Sequence, residues 1–263
     1  MVMLERTKDH IENPTQFTPR QKLWYIRAKE VVVSTGSIER PLVFGNNDRP
    51  GIMLAGAMRA YANRWATAVG DRIAIFANND DAHRTAHDLH RLGVEIAAVI
   101  DSRPEAPTSA HFEVLQASEV VNTHGRLGIN SIDVKTPQGQ RQMQVSGLGV
   151  SGGWNPNIHL TCHQRGRPQW DPALSAFVSS SDLPKSLLVA GAANGKMTTA
   201  AAMQDAVTTA MKIAKDLGHK PKSLAVPKTS DESVSVTPFW YVTGTQRGWV
   251  DQQNDVTVKD IQL

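Results

Sequence analysis

The sequence holds a single cysteine, Cys162, among 263 residues. No internal disulfide can form. Neither a Cys-x-x-Cys redox pair nor a cysteine set for an iron–sulfur cluster is available. Such cysteine poverty fits a reducing compartment, so a cytoplasmic location is expected. Long apolar runs are missing too: nothing reaches the ~18 residues of a membrane span, and no membrane contact is expected. The opening Met1-Val2-Met3-Leu4-Glu5-Arg6 lacks the basic start and apolar core of a secretory signal. There is no lysine/arginine block. The 28 basic against 25 acidic residues leave a net charge of +3, which gives no argument for nucleic acid. No Walker-type phosphate loop, nucleophile elbow, internal repeat or low-complexity tract is found.

What is present is ordinary globular composition, 40% hydrophobic and 20% charged, enough for one or two domains. The organising stretch runs from Glu30 to Pro41. Val31-Val32-Val33 reads as a short buried strand. Ser34-Thr35-Gly36 makes a sharp exit, where glycine permits unusual backbone angles and lets a ligand approach closely. Arg40-Pro41 then commits the chain to an extended path. A plain core strand with a turn explains the same residues. Residues 1 to 6 and 23 to 28 add two strands, and the three together suggest an antiparallel meander. Ile52 to Ala66 has a helical pattern, with Leu54, Met58, Tyr61 and Trp65 on one face as a core stripe.

A β-α-β unit follows. Arg72–Ala77 is a buried strand, Asn78-Asn79-Asp80-Asp81 a turn and helix cap, 82–92 a helix stopped by Gly93, and 94–101 a second strand. Its last residue, Asp101, stands where dinucleotide folds place an acid against ribose hydroxyls. The glycine fingerprint is absent, however, and Asp80 and Asp81 would repel a pyrophosphate. This unit is expected to have a nucleotide-binding shape and to be empty. Short strands at 112–115, 119–122, 128–134 and 142–150 come next, with a hairpin turn at Pro137-Gln138-Gly139. A polar surface loop is expected over 161–170.

Ser186–Ala190 is a further strand, leading through Gly191-Ala192-Ala193-Asn194-Gly195 into a helix from Thr198 to Leu217. Small residues and threonines at such a turn leave backbone N–H groups free to face an anion. Tight strand-helix packing with a capping threonine is the other reading. Residues 219 to 237 look like a linker, and 238–242 an apolar patch. His83, His87 and His90 share one helix and could form a metal face with Asp80 or Asp88; exposed histidines on a crossover helix are the simpler explanation.

Four motifs resemble one family: 20–29, 34–44, 46–54 and 151–161, together with the closing 253–260. They are similar to the alpha subunits of heterotetrameric sarcosine oxidases, over nearly the whole chain. The resemblance implies an α/β, two-lobed FAD/NAD-binding fold of disulfide-reductase-like, Rossmann type, with the first lobe incomplete. Residues 1–70 and 151–218 would be the latter half of that lobe, 71–150 an inserted second lobe, and 219–263 a linker and the start of a folate-binding, aminomethyltransferase-like domain. The chain would then be the central section of a longer subunit. It implies NAD in this chain, held but not turned over, with FAD and a covalent FMN elsewhere in an assembly with beta, gamma and delta subunits. That assembly oxidises sarcosine to glycine, makes hydrogen peroxide and passes the one-carbon unit to tetrahydrofolate. By position in the motif, Ala192, Met197 and Thr199 would contact NAD, with Gly191 beside them and Thr35 and Gly36 nearby. No catalytic or metal-ligating residue transfers. The alternatives are a subunit of a related FAD/NAD-dependent amine, opine or proline dehydrogenase, a ferredoxin-linked reductase, or a non-catalytic scaffold section.

Overall fold

Short apolar runs place the strands. The computed structural model describes the chain apart from positions 164, 165, 223, 231, 245 and 263. β1 (Val2–Arg6) and β2 (Gln21–Tyr25) form an antiparallel hairpin whose Leu23, Trp24 and Tyr25 are exposed. β3 (Val31–Val33) does not extend this pair into a meander. It pairs in parallel with Leu187–Val189, a strand more than 150 residues later, which buries Val33 against Val189 and Ala193. β4 (Ser37–Glu39) then leads away to a second lobe.

That lobe begins with β5 (Ile52–Leu54) and α1 (Ala55–Trp65). The helical pattern expected from residue 52 is therefore split: Ile52, Met53 and Leu54 join a sheet. The expected core stripe also divides, since Met58 is buried while Tyr61 and Trp65 are exposed. β6 (Arg72–Ala77), α2 (Asp80–Arg91) and β7 (Glu95–Asp101) form the β-α-β unit as read from sequence. Asn79 caps α2, accepting from the N–H groups of Asp81 and Ala82, and Gly93 ends the turn after the helix. β8 (Val114–Leu115), β9 (Glu119–His124), β10 (Ser131–Thr136), β11 (Gly139–Gln144) and β12 (Gly147–Ser151) follow. The single strand expected over 142–150 is two strands. Val145 and Ser146 part them; the Ser146 N–H donates to the Arg72 carbonyl and its hydroxyl accepts from the Arg72 N–H, turning the chain from one sheet into the other.

The parallel sheet has the order β5-β12-β6-β7-β8. α1 and α2 cover one face through Ala55, Met58, Ala86 and Leu89, packed on Ile73, Ile75 and Val99. The antiparallel sheet β11-β10-β9 covers the other through Val120, Ile132 and Val134, against Phe76, Ile100 and Leu148. Strands buried on both faces need apolar residues at every position, which is why 73–77 reads as an unbroken run. β5 and α1, placed by the sequence reading in the first lobe, pack in this layer.

β13 (Trp154–Pro156) returns beside β4, so two antiparallel strands connect the lobes. The first lobe then takes α3 (His159–Cys162), the hairpin β14 (Gln169–Asp171) and β15 (Ala176–Val178), β16 (Leu187–Val189) and α4 (Thr199–Asp216). The expected loop at 161–170 thus has a helical turn at its start and a strand at its end; 164 and 165 lie outside the described residues. Thr198 caps α4 by accepting from the Ala201 N–H. The core of this lobe is small: Val33, Val189 and Ala193. β17 (Trp249–Asp251), β18 (Val256–Thr257) and α5 (Val258–Ile261) close the chain. No described helix is long and apolar enough to cross a membrane.

Candidate functional site

Each lobe offers the same piece of geometry, a parallel strand ending at a helix start. In the first lobe, β3 and β16 lie in register, Val33 opposite Val189. Thr35-Gly36 and Gly191-Ala192 therefore emerge side by side at one carboxyl edge, the usual ligand edge of such sheets. Both glycines need left-handed backbone, with φ of +73° at Gly36 and +70° at Gly191. A Cβ at either position would meet nothing within 4 Å, so the space before them is open. A 3-10 turn, Gly191–Asn194, carries the chain toward α4, and Asp205 on α4 pins it by accepting from the Gly191 N–H at 2.9 Å and from Asn194. Thr35 is held back from this opening: its hydroxyl donates to the Asn157 carbonyl at 2.5 Å.

In the second lobe the same edge is filled. Arg103 lies along it and donates to Asp101 (Nη2 to Oδ2, 2.8 Å) and to Asp80 (Nη1 to Oδ1, 2.8 Å). His83 Nε2 is 2.7 Å from the same Asp101 oxygen, Oδ2. All four side chains are buried. Burial pushes the Asp101 carboxyl upward, but hydrogen bonds from His83 and Arg103 outweigh it and hold Asp101 below its ordinary value. Asp80 is lowered likewise, with bonds from Ser233 and Arg103 overcoming burial. The acid expected to meet a ribose is consequently committed to protein partners.

Residues 233–239 complete the filling. They run as an extended strap over the β6–α2 turn. The Ser235 N–H donates to Asp80 at 3.1 Å, the Asp80 N–H to the Ser235 carbonyl at 3.0 Å, and the Ser233 hydroxyl to Asp80 at 2.5 Å. Asn78 donates to the carbonyls of Thr237 and Phe239, and Arg84 and Arg103 reach those of Ser233 and Ser235. Phe239 then stacks edge-on against Phe76. The expected 219–237 linker is corrected here: its second half is docked structure, although 223 and 231 lie outside the described residues.

Between the lobes lies a cavity of about 410 Å³. Ser37, Met197 and Thr199 line it from the first lobe; Arg59, Asp81 and Arg84 from the second; Trp154 from the connection; Glu232 to Val236 from the strap. Glu232 sits on the start of α4, accepting from the Thr199 hydroxyl at 2.6 Å and the Thr199 N–H at 3.1 Å. Those two bonds hold its carboxyl below the ordinary glutamate value. Of the sequence candidates, Met197 and Thr199 line the cavity, Gly191 and Ala192 form the turn leading to it, and Thr35 and Gly36 stand at the neighbouring corner. Glu232 and the strap escaped the sequence reading. The alternation Ser233-Val234-Ser235-Val236-Thr237 was the available signal, since polar-apolar period two marks an extended segment.

Glu39 sits where β4 leaves for the second lobe. Its carboxylate accepts from the Gly56 N–H at 2.8 Å, satisfying a donor in the first turn of α1, whose cap residue Leu54 has no side-chain acceptor. Burial pushes Glu39 up to about 7. The histidine face divides: His83 turns in to Asp101, while His87 and His90 face His111. Among the described residues no group of three or more His, Cys, Asp or Glu is arranged to hold a metal.

No family model matches the chain. It is 39% identical over 265 residues to a sarcosine oxidase subunit alpha of Rhizobium meliloti, covering 99% of this chain and 27% of that protein. A second, from Corynebacterium sp. (strain U-96), is 34% identical over 98% of this chain and 29% of its own length. The chain thus spans little more than a quarter of these relatives. The resemblance read from the motifs holds across the whole chain. Among solved structures, it is similar to a thioredoxin reductase of T. acidophilum (TM-score 0.59, 13% identity, 72% of this chain and 66% of that one). It is also similar to an L-proline dehydrogenase of P. horikoshii (TM-score 0.58, 20% identity, 80% and 41%). At such identities the likeness is one of fold, and the fold is the FAD/NAD-binding, disulfide-reductase-like α/β type.

Proposed function

We propose that this chain is the nucleotide-binding section of a sarcosine oxidase alpha subunit, holding NAD at the first lobe and leaving the second lobe empty. The observation that carries this is the pairing of two open corners. Thr35-Gly36 and Gly191-Ala192 share one strand edge, and the chain from the second corner leads directly to Met197 and Thr199 in the cavity. Small residues, the open space before the two glycines and a helix start suit a dinucleotide's pyrophosphate; in the free chain the Gly191 and Thr199 N–H groups are held by Asp205 and Glu232. Ala192, Gly191, Met197 and Thr199 would contact it, with Thr35 and Gly36 shaping the rim.

Bound NAD would bring a hydride-accepting ring; the carboxylates nearest these corners, Asp205 and Glu232, are engaged by the Gly191 N–H and by Thr199. This section would therefore bind rather than react. In the whole assembly, sarcosine would be oxidised to glycine with oxygen as acceptor, on FAD and FMN carried outside this section. The one-carbon unit would go to tetrahydrofolate, and beta, gamma and delta subunits would complete the complex in the cytoplasm. The 39% identity to an alpha subunit over the full chain supports that assignment.

Calorimetric titration of the 263-residue chain with NAD tests the reading. One binding site is expected, together with a rise in unfolding temperature. Ala192→Asp puts a carboxylate at the open corner and should weaken binding at least tenfold. Binding that ignores this substitution, or no binding at all, would refute the NAD site.

A further inference from the structure

The strap does more than fill the second lobe. It leaves that lobe at Ser233 and delivers Glu232 across the cavity to the first. Two donors of Thr199, the backbone N–H and the hydroxyl, are both taken by this one carboxylate. Thr199 is the first residue of α4, an 18-residue helix whose positive end favours an anion. Glu232 is thus an anion from the chain itself, placed where an incoming anionic group would sit. On the other side of the cavity the strap is fastened by Ser233 and Ser235 to Asp80, and by Arg84 and Arg103 to its carbonyls.

We propose that Glu232 is a latch: it closes the interlobe cavity in the free protein and must leave Thr199 before a phosphate-bearing ligand can enter. The identity of that ligand as NAD rests on the function proposed above; the latch itself does not. Two like charges cannot share one helix start, so ligand entry and strap docking exclude each other at Thr199. The anchor at Asp80 is separate from the latch, so the strap's first residues swing out while residues 235–239 stay on the second lobe. The second lobe, though without a ligand, would in this way set how readily the first one fills.

Glu232→Gln keeps the size and removes the charge. Two measurements on it separate the latch from the identity of the ligand. The first uses no ligand: amide exchange at Thr199 and across 232–234 is compared between the wild-type chain and the variant. A latch predicts exchange at least fivefold faster in the variant at these positions, with 235–239 and the β6–α2 turn unchanged. Unchanged exchange at Thr199 overturns it. The second is NAD titration, in which the variant should bind about tenfold more tightly. Weaker binding would make Glu232 a ligand contact instead and overturn the gate. If neither protein binds NAD, the cofactor reading falls and the exchange result alone decides the latch. Should the variant fold poorly, Thr199→Val removes the hydroxyl donor from the same contact and should speed exchange across 232–234 likewise.

Discussion

The two lobes end their strands in the same way and treat the resulting edge oppositely. At the β3/β16 edge the residues are Thr, Gly, Gly and Ala, and the space before the glycines is open. At the β6–α2 edge they are Asn, Asn, Asp and Asp, and the space is taken by Arg103 and the strap. Fold supplies a helix start facing a strand end in both cases. Side chains decide whether that place receives a ligand or is built shut. A Rossmann-type outline is therefore no evidence of a nucleotide, and the turn itself has to be read.

Breaking the filled edge should have the largest effect. Arg103→Ala leaves Asp80 and Asp101 buried without their cation. Removing one partner of a buried ion pair costs about 3–5 kcal/mol, and urea unfolding of the variant should show a loss of that order. A loss under 1 kcal/mol would mean that the network is not what closes this lobe.

The connection between the lobes gives the next effect. Glu39 titrates near 7 in the folded chain and near 4.5 when unfolded. The folded state therefore holds its proton over a window in which the unfolded state has lost it. Stability from this group is full below pH 4.5, declines as pH rises to 7, and is constant above. The span is on the order of 3 kcal/mol. Wild-type minus Glu39→Gln stability, measured from pH 4.5 to 8, should fall by that amount; a flat difference contradicts the account. A smaller effect is expected at the cap of α2. Asn79→Ala removes the acceptor for two helix N–H groups and a donor to Ser151, and should cost about 1–2 kcal/mol in urea unfolding.

Much of the second lobe was legible because its chemistry is local. An unbroken apolar run, a capping Asn79 and a stopping Gly93 fixed β6, α2 and β7 within two residues. β5 was not legible: Ile52-Met53-Leu54 continues the periodicity of α1, and only its partner β12, some 95 residues later, makes it a strand. The three valines of β3 were recognisable as a strand, but not their pairing with β16. The expectation that the second lobe holds no nucleotide rests on the absent glycine fingerprint and on Asp80 and Asp81; Arg103 and the strap carry no signal in the sequence for it. Ser233 and Asp80 are 153 residues apart, and no local pattern announces such a contact. Open corners are easier to read than filled ones, since small residues identify the first and distant partners the second.

A crystal structure of the chain grown with NAD tests the central claim most directly. The account predicts the dinucleotide at Gly191, Ala192, Met197 and Thr199, Glu232 withdrawn from Thr199, and the Asp80–Arg103–Asp101 network intact. Dinucleotide bound instead over Asn78–Asp81, with residues 233–237 lifted away from Asp80, would contradict it.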